Sequence, residues 1–337
     1  MSALLETSDL AVGYANRRTG GTIVARALDL RVAPGTFICL LGPNGAGKST
    51  LLRTLAGVQE RLGGSISLEG QPLDALESQV RAQRIAVVLT EKPAAATLRV
   101  TDVVALGRYP HTGWFGELEP RDLQIVEDSL KLAGADDVAD RFIGDLSDGE
   151  RQRVMIARAL AQSGLLLLLD EVTAFLDLPS RVRTMTLLRG LARERGCAVV
   201  LSSHDLDLAL RLADEVWLMK GDGALRQGTP EDLVLDGSLG AAFGTEEVAL
   251  DADSGAFVLR EQGGPRVALE GSGATRLWTE RALLRTGFTP VAAGEGCEFA
   301  IRVENDGSRP RWELRLEDGY ESSESMGALL RRLRDAS

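Results

Sequence analysis

Residues 42–50 read GPNGAGKST. Glycines at Gly42, Gly45 and Gly47 let backbone N–H groups curl around phosphate oxygens, and a helix starting at the end of such a loop adds a favourable dipole. Pro43, Asn44 and Ala46 complete the loop. Lys48 is spaced to neutralise β- and γ-phosphates, and Ser49, followed by Thr50, to hold Mg²⁺. The context fits. An apolar run at 36–41, TFICLL, leads into the glycines, and a helical pattern at 49–56 leaves them, closed by Gly57. Strand, glycine loop and helix together predict a site for a nucleoside triphosphate, ATP with Mg²⁺.

A second segment supplies carboxylates. Residues 165–171 read LLLLLDE. A buried strand that ends in acids brings Asp170 to the sheet edge beside the phosphate loop, where it can bind Mg²⁺ through water. Glu171 is then placed to polarise an attacking water. Apolar strands ending in an acid are common in α/β proteins, so this reading depends on the glycine loop upstream.

A third segment, residues 146–160, reads LSDGERQRVMIARAL. It resembles the signature motif of the ABC ATPases, usually LSGGQ, and Ser147 lies 23 residues before Asp170. The physics is again a helix N-terminus, with Leu146, Ser147, Asp148, Gly149 and Glu150 as its first residues and donors at Ser147 and Gly149. The resemblance implies that these donors serve a γ-phosphate held by another copy. The protein would then be a head-to-tail homodimer with two ATPs at its interface. Five further residues are assigned by the same resemblance. Tyr14, in GYANRR, would stack on adenine. Asp177 would lie in the D-loop at the dimer contact. His204, in SSHDLDLA, would be the switch histidine that contacts the γ-phosphate. Thr90 and Glu91 occupy the Q-loop position, where the family carries a glutamine that bridges Mg²⁺ and the membrane partner. Thr90 is shorter than glutamine, and Glu91 adds a charge that could substitute as a metal ligand. Asp148 and Glu150 are further departures, standing where Gly and Gln are common; Glu150 is a frequent variant there, while Asp148 is less frequent and adds negative charge near a phosphate site.

These residues need a scaffold. Strand-like runs at 9–14, 23–32, 36–41, 66–70, 85–89, 165–170, 198–202, 216–220 and 225–228 alternate with helical patterns at 101–134, 150–161, 180–194, 206–213 and 230–235. The helical pattern at 101–134 is interrupted by a loop at 109–116. Such alternation predicts a mainly parallel sheet covered on both faces. The texture changes near 243–244. Short strands at 247–250, 256–259, 267–269, 299–303 and 312–316 follow, with helices at 279–286 and 325–334. The expected division is an ABC ATPase domain at 1–246, with a helical subdomain at about 91–164 and an antiparallel β subdomain, plus a small α+β domain at 247–337.

Composition narrows the partners. The chain has 337 residues and a net charge of −11, which argues against non-specific nucleic-acid binding and against docking to anionic lipid. No apolar run approaches the roughly 18 residues that span a bilayer. Three cysteines, Cys39, Cys197 and Cys297, match no metal spacing, and two histidines are too few for a histidine-based metal site.

The resemblance also suggests a task. The segment TDVVALGRYPHTGWFG and the later GTPEDLV look like those of ATPases that power import of iron complexes (siderophores, haem) or vitamin B12. In that group Thr101–Asp102 and residues 108–110 lie where the permease docks. The expected partners are a second copy, an integral membrane permease and, indirectly, a substrate-binding protein. The expected location is peripheral, on the cytoplasmic face of the membrane. Iron complexes come first as cargo, cobalamin second and metal ions third. The rival is a soluble ABC ATPase acting on nucleic acid or ribosomes. That class carries two ATPase halves or a long coiled coil, and this chain has neither.

Overall fold

The computed structural model describes residues 3–15, 21–89, 96–113, 115–252, 255–259, 263–292, 297, 299–305, 310–316 and 319–337. The chain forms two compact units, one of residues 1–244 with 250–256, the other of 245–249 with 257–337.

The first unit opens with β1 (Leu5–Tyr14), β2 (Thr22–Leu28) and β3 (Arg31–Val32), which pair antiparallel through β1. The sequence predicts one strand across 23–32, but the chain breaks at Asp29. Thr7 is the reason: its hydroxyl donates to the Leu28 carbonyl at 2.7 Å and accepts from the Leu30 N–H at 2.8 Å. A side chain thus replaces the ladder for one step. Next comes β4 (Phe37–Leu41), whose five residues are all buried, then α1 (Lys48–Leu55), β5 (Gly63–Leu68), β6 (Gln71–Pro72), α2 (Ser78–Arg84) and β7 (Ile85–Val88). A helical lobe follows, of α3 (Val100–Ala105), α4 (Pro120–Ala133) and α5 (Asp148–Ala161). The chain then returns to the sheet through β8 (Leu166–Asp170), α6 (Leu178–Arg195), β9 (Ala198–Ser202), α7 (Leu206–Leu212), β10 (Glu215–Met219) and β11 (Leu225–Gly228), and adds α8 (Pro230–Leu235) and α9 (Ser238–Phe243).

The central sheet runs β11-β10-β4-β9-β8-β7, parallel except for the β10–β11 pair. Its strands read as continuous apolar runs because both faces are covered. In β4, Phe37, Cys39 and Leu41 join one core with the helical lobe, while Ile38 and Leu40 join the other with α1 and the antiparallel sheet. Cys39 is one of these packing residues, and burial pushes its thiol pKa far up. The order β4-β9-β8 matters most for function. It sets the C-terminal ends of three parallel strands side by side, where α/β sheets bind ligands.

The second unit takes in part of a hairpin of β12 (Val248–Asp251) and β13 (Ala256–Leu259). Its elements are β14 (Arg266–Glu270), α10 (Gly273–Arg285), β15 (Thr289–Val291), β16 (Phe299–Asn305), β17 (Pro310–Leu316), β18 (Gly319–Ser323) and α11 (Met326–Ala336). The sheet order is β15-β14-β16-β17-β18, parallel from β15 to β16 and antiparallel beyond. Val267, Leu269, Ile301 and Leu314 pack against Leu283, Leu329 and Leu333 of the two helices. Trp312 is buried within this core, and its Nε1 donates to Thr279 Oγ1 at 2.8 Å.

The segment between α3 and α4 contains residues 108–110, expected near a permease contact. Residues 106–111 form a 3₁₀ turn. Within it Arg108 is buried, not presented outward. Its Nε donates to Asp122 Oδ1 at 2.8 Å and its Nη1 to the Ala161 carbonyl at 2.7 Å. Leu106, Tyr109 and His111 are the exposed members. Arg108 therefore staples the turn to α4 and to the end of α5. Arg108→Ala strands a buried carboxylate and should cost about 3–5 kcal/mol. Tyr109→Ala should stay within about 0.5 kcal/mol, as surface substitutions do. Urea unfolding midpoints of the two variants check the contrast.

Candidate functional site

The phosphate loop leaves β4 with Gly42 at φ 156° and Gly47 at φ 102°. Space as well as backbone demands glycine here. A Cβ at Gly42 would lie 2.3 Å from the Met219 carbonyl, and one at Gly47 would lie 2.0 Å from Val24 Cγ1. The first turn of α1 begins at Lys48 itself, one residue earlier than the pattern implied. Lys48 is buried, and its Nζ donates to the carbonyls of Gly42 at 2.8 Å and Pro43 at 3.2 Å. Burial lowers its pKa, and the nearby Glu171 and Asp170 carboxylates oppose that shift. The strand order thus brings loop and acids together.

Asp170 ends β8 and is 2% exposed. It is directly opposite Ser202 of β9 in the parallel ladder. Ser202, fully buried, donates its hydroxyl to Asp170 Oδ1 at 2.7 Å and accepts from the Glu171 N–H at 2.9 Å. One hydroxyl therefore orients both acids. Glu171 sits at φ 52°, a left-handed conformation unusual for a side chain of its size. That turn carries its carboxylate out of the sheet to His204, whose Nε2 lies 2.6 Å from Glu171 Oε1. Strain of this kind gathers at active sites. Glu171, His204, Thr173, Ala174, Ser203, Asp205 and Arg181 line a cavity of about 250 Å³.

Residues 25–174 match the ABC transporter family, and residues 263–334 match a second family, the iron ABC transporter C-terminal domain. An ABC transporter ATP-binding protein of Methanocaldococcus jannaschii is 41% identical over 231 residues, 68% of this chain and 78% of that protein. This chain belongs to the ABC transporter ATP-binding proteins. The hemin import ATP-binding protein of Pseudomonas aeruginosa is also 41% identical, over 68% of this chain and 90% of its own length. The fold agrees. A dimeric bacterial ABC transporter cassette superposes with a TM-score of 0.61 at 25% identity, over 67% of this chain and 98% of the cassette. The protein is thus an ATP-binding ABC ATPase, of a family whose cassettes dimerise. Among the described residues no helix is long and apolar enough to cross a membrane.

The remaining expected positions of this ABC ATPase spread along one chain. Tyr14 is half exposed, with its hydroxyl 3.0 Å from Thr50 Oγ1. The ring therefore stands beside α1, tied to the last residue of the loop motif. Ser147 caps α5 through a reciprocal box with Glu150. Asp177 caps α6 by accepting from the Ser180 N–H at 3.0 Å, and that bonding holds its carboxyl below the usual range. Thr90 and Glu91 lie outside the described residues.

Two residues of the site escaped the sequence reading. Ser202 is one; its only sequence signal is a hydroxyl at the end of an apolar strand. Arg181 is the other. Its Nη1 donates to Asp205 Oδ2 at 2.8 Å and its Nη2 to the Leu176 carbonyl at 3.1 Å, tying the residue before Asp177 to the residue after His204. Ser202→Ala removes the shared hydroxyl and leaves a buried carboxylate oxygen and the Glu171 N–H without it. The expected loss is about 1–3 kcal/mol of stabilisation at the site, read as a roughly tenfold or greater fall in ATPase kcat. A melting temperature within a few degrees of the parent would separate this from unfolding.

Proposed function

We propose that this chain is the ATP-hydrolysing subunit of an importer for an iron complex, a siderophore or haem. The match of residues 263–334 to the iron ABC transporter C-terminal domain carries the cargo reading, and the similarity to the hemin import protein supports it. Cobalamin is the alternative cargo. The chain would work peripherally on the cytoplasmic face of the membrane. Its partners would be a second copy, an integral permease and, through the permease, a substrate-binding protein. The proposed domains are an ATPase domain at 1–246 and an α+β domain at 247–337 that regulates or steadies the dimer.

The chemistry assigned to each residue is specific. The backbone of 42–50 and Lys48 bind the phosphates, and Tyr14 packs on the base. Ser49 and Asp170 present oxygen donors that suit Mg²⁺, a hard cation that completes its shell with water and phosphate oxygens. An ion held by these two residues would supply charge neutralisation between the β- and γ-phosphates. Glu171 orients a water for attack on the γ-phosphorus and takes its proton as the bond to the ADP oxygen breaks. His204 contacts the γ-phosphate as the switch histidine, and its Nε2, 2.6 Å from Glu171 Oε1, also holds the Glu171 carboxylate. Leu146, Ser147, Asp148, Gly149 and Glu150 approach from the other copy, and Asp177 lines the dimer contact. Thr90 and Glu91 stand at the Q-loop position, where Glu91 could substitute for the glutamine as a direct or water-mediated metal ligand.

Glu171→Gln keeps the shape but removes the base. It should reduce turnover by at least about a hundredfold, in the range of lost acid–base catalysis, and trap a dimer with ATP on size exclusion. Undiminished turnover would refute the role. For the cargo, the chain and its co-purified permease in proteoliposomes should take up a ferric siderophore or haem, not cobalamin. Cobalamin uptake would overturn the iron reading. Deleting residues 247–337 should weaken dimerisation or alter transport; normal values for both would leave that domain without either role.

A further inference from the structure

The signature segment of this chain is acidic where phosphate is to dock. Asp148 and Glu150 stand where the family commonly has Gly and Gln. The carboxylate of Glu150 lies against the very serine assigned to the γ-phosphate. Glu150 Oε2 accepts from the Ser147 hydroxyl at 2.7 Å and from the Ser147 N–H at 2.8 Å. Left alone, that arrangement has two faults. The Ser147 proton is committed to a carboxylate, and a negative charge faces the arriving phosphate.

The structure holds an answer to each acid. Arg141 Nη1 donates to the other oxygen of Glu150, Oε1, at 2.9 Å, and Arg141 Nη2 donates to the Asp145 carbonyl at 2.7 Å. Arg151 Nη1 donates to Asp148 Oδ1 at 2.7 Å, and its Nη2 to the Leu146 carbonyl at 2.8 Å. Each arginine grips one acid and one backbone carbonyl of the segment before the helix. Each guanidinium is thereby fixed in direction as well as in distance. The same contacts, Ser147 first and Arg141 after it, hold the Glu150 carboxyl below its ordinary pKa range. The cation that faces this carboxylate is Arg141, at 2.9 Å from its outer oxygen.

We propose that Arg141 is a positioning residue for ATP, cancelling the Glu150 charge so that Ser147 can turn from Glu150 to the γ-phosphate of the opposite copy. This rests on the reading that the signature serves the opposite copy's nucleotide. Arg141 does not touch the nucleotide in this account. It acts through Glu150, and Arg151 does the same for Asp148. The acidic signature and its two arginines form one unit. Loss of either arginine alone should be worse than loss of arginine and acid together.

The test is a cycle on the full chain, measuring steady-state ATPase against ATP concentration with Mg²⁺ in excess. Arg141→Gln should raise KM about fivefold with kcat within about twofold, the effect of roughly 1 kcal/mol at a partly exposed charge pair. The same substitution in a Glu150→Gln background should raise KM less than about twofold, because no charge is left to balance. Arg141→Lys should recover most of the loss. The Arg141→Gln penalty should also shrink at about 0.5 M salt, where exposed charges are screened. Equal KM increases in both backgrounds would overturn the proposal, since Arg141 would then act through the Asp145 carbonyl alone. Ser147→Ala separates the two levels. If it leaves KM unmoved, the opposite-copy reading fails and the proposal with it. If it raises KM while the cycle shows no coupling, only the role of Arg141 fails. Thermal melts within a few degrees of the parent exclude loss of fold in each variant.

Discussion

The site depends on a buried positive charge. An ammonium removed from water is costly unless its surroundings repay it, and Lys48 is almost wholly buried. Two loop carbonyls accept its protons, and the Asp170 and Glu171 carboxylates supply opposing charge. Neither group could be near it without the strand order. β4 carries the loop and β8 carries the acids, with β9 between them. β9 is not a passive spacer, because its Ser202 is the hydrogen-bonded link to both acids. The sheet therefore acts as a jig. It holds one cation, two carboxylates and one hydroxyl at the ends of neighbouring strands, and the left-handed turn at Glu171 sends one carboxylate out towards His204.

That arrangement explains what could be read from the chain. The phosphate loop was legible because all of its chemistry is contiguous: glycine conformations, the lysine and the hydroxyl occupy residues 42–50. The pairing of loop and acid was legible because an apolar strand must end where the sheet ends. Ser202 was not legible. Its role arises from register, Asp170 opposite Ser202, and no local pattern encodes which residues of two strands face each other. Arg181 was hidden for the same reason, since its two partners lie in different loops. The contacts of Arg108 were not legible either. In an exposed-looking run of Gly, Tyr and Pro it reads as surface, but Asp122 and the carbonyl of Ala161 bury it.

The fold shows the same division between local and distant causes. Continuous apolar strands such as β8 and β9 match the pattern within a residue. The strand predicted across 23–32 failed because the Thr7 hydroxyl, 23 residues from Leu30, breaks the ladder. In the second unit, β18 (GYESS) was missed altogether. It has no apolar alternation, since it is an edge strand whose partner β17 supplies the buried residues. α10 begins at Gly273, six residues before the pattern indicated, because GSGATR lacks the early apolar positions that mark a helix.

The signature segment shows how a departure from a family pattern should be weighed. Taken one position at a time, Asp148 and Glu150 argue against phosphate chemistry, because each adds negative charge beside a helix N-terminus. The same positions are good helix caps, since acids in the first turn complement the helix dipole, and Glu150 completes the capping box with Ser147. A carboxylate can therefore stabilise the free helix and still hinder the bound phosphate. Arg141 and Arg151 resolve that conflict by geometry, each joining an acid to the preceding backbone. The unit that matters is then the charge of the whole cluster, not the identity of any one residue within it. Asp148 and Glu150, each paired with an arginine, form a balanced set.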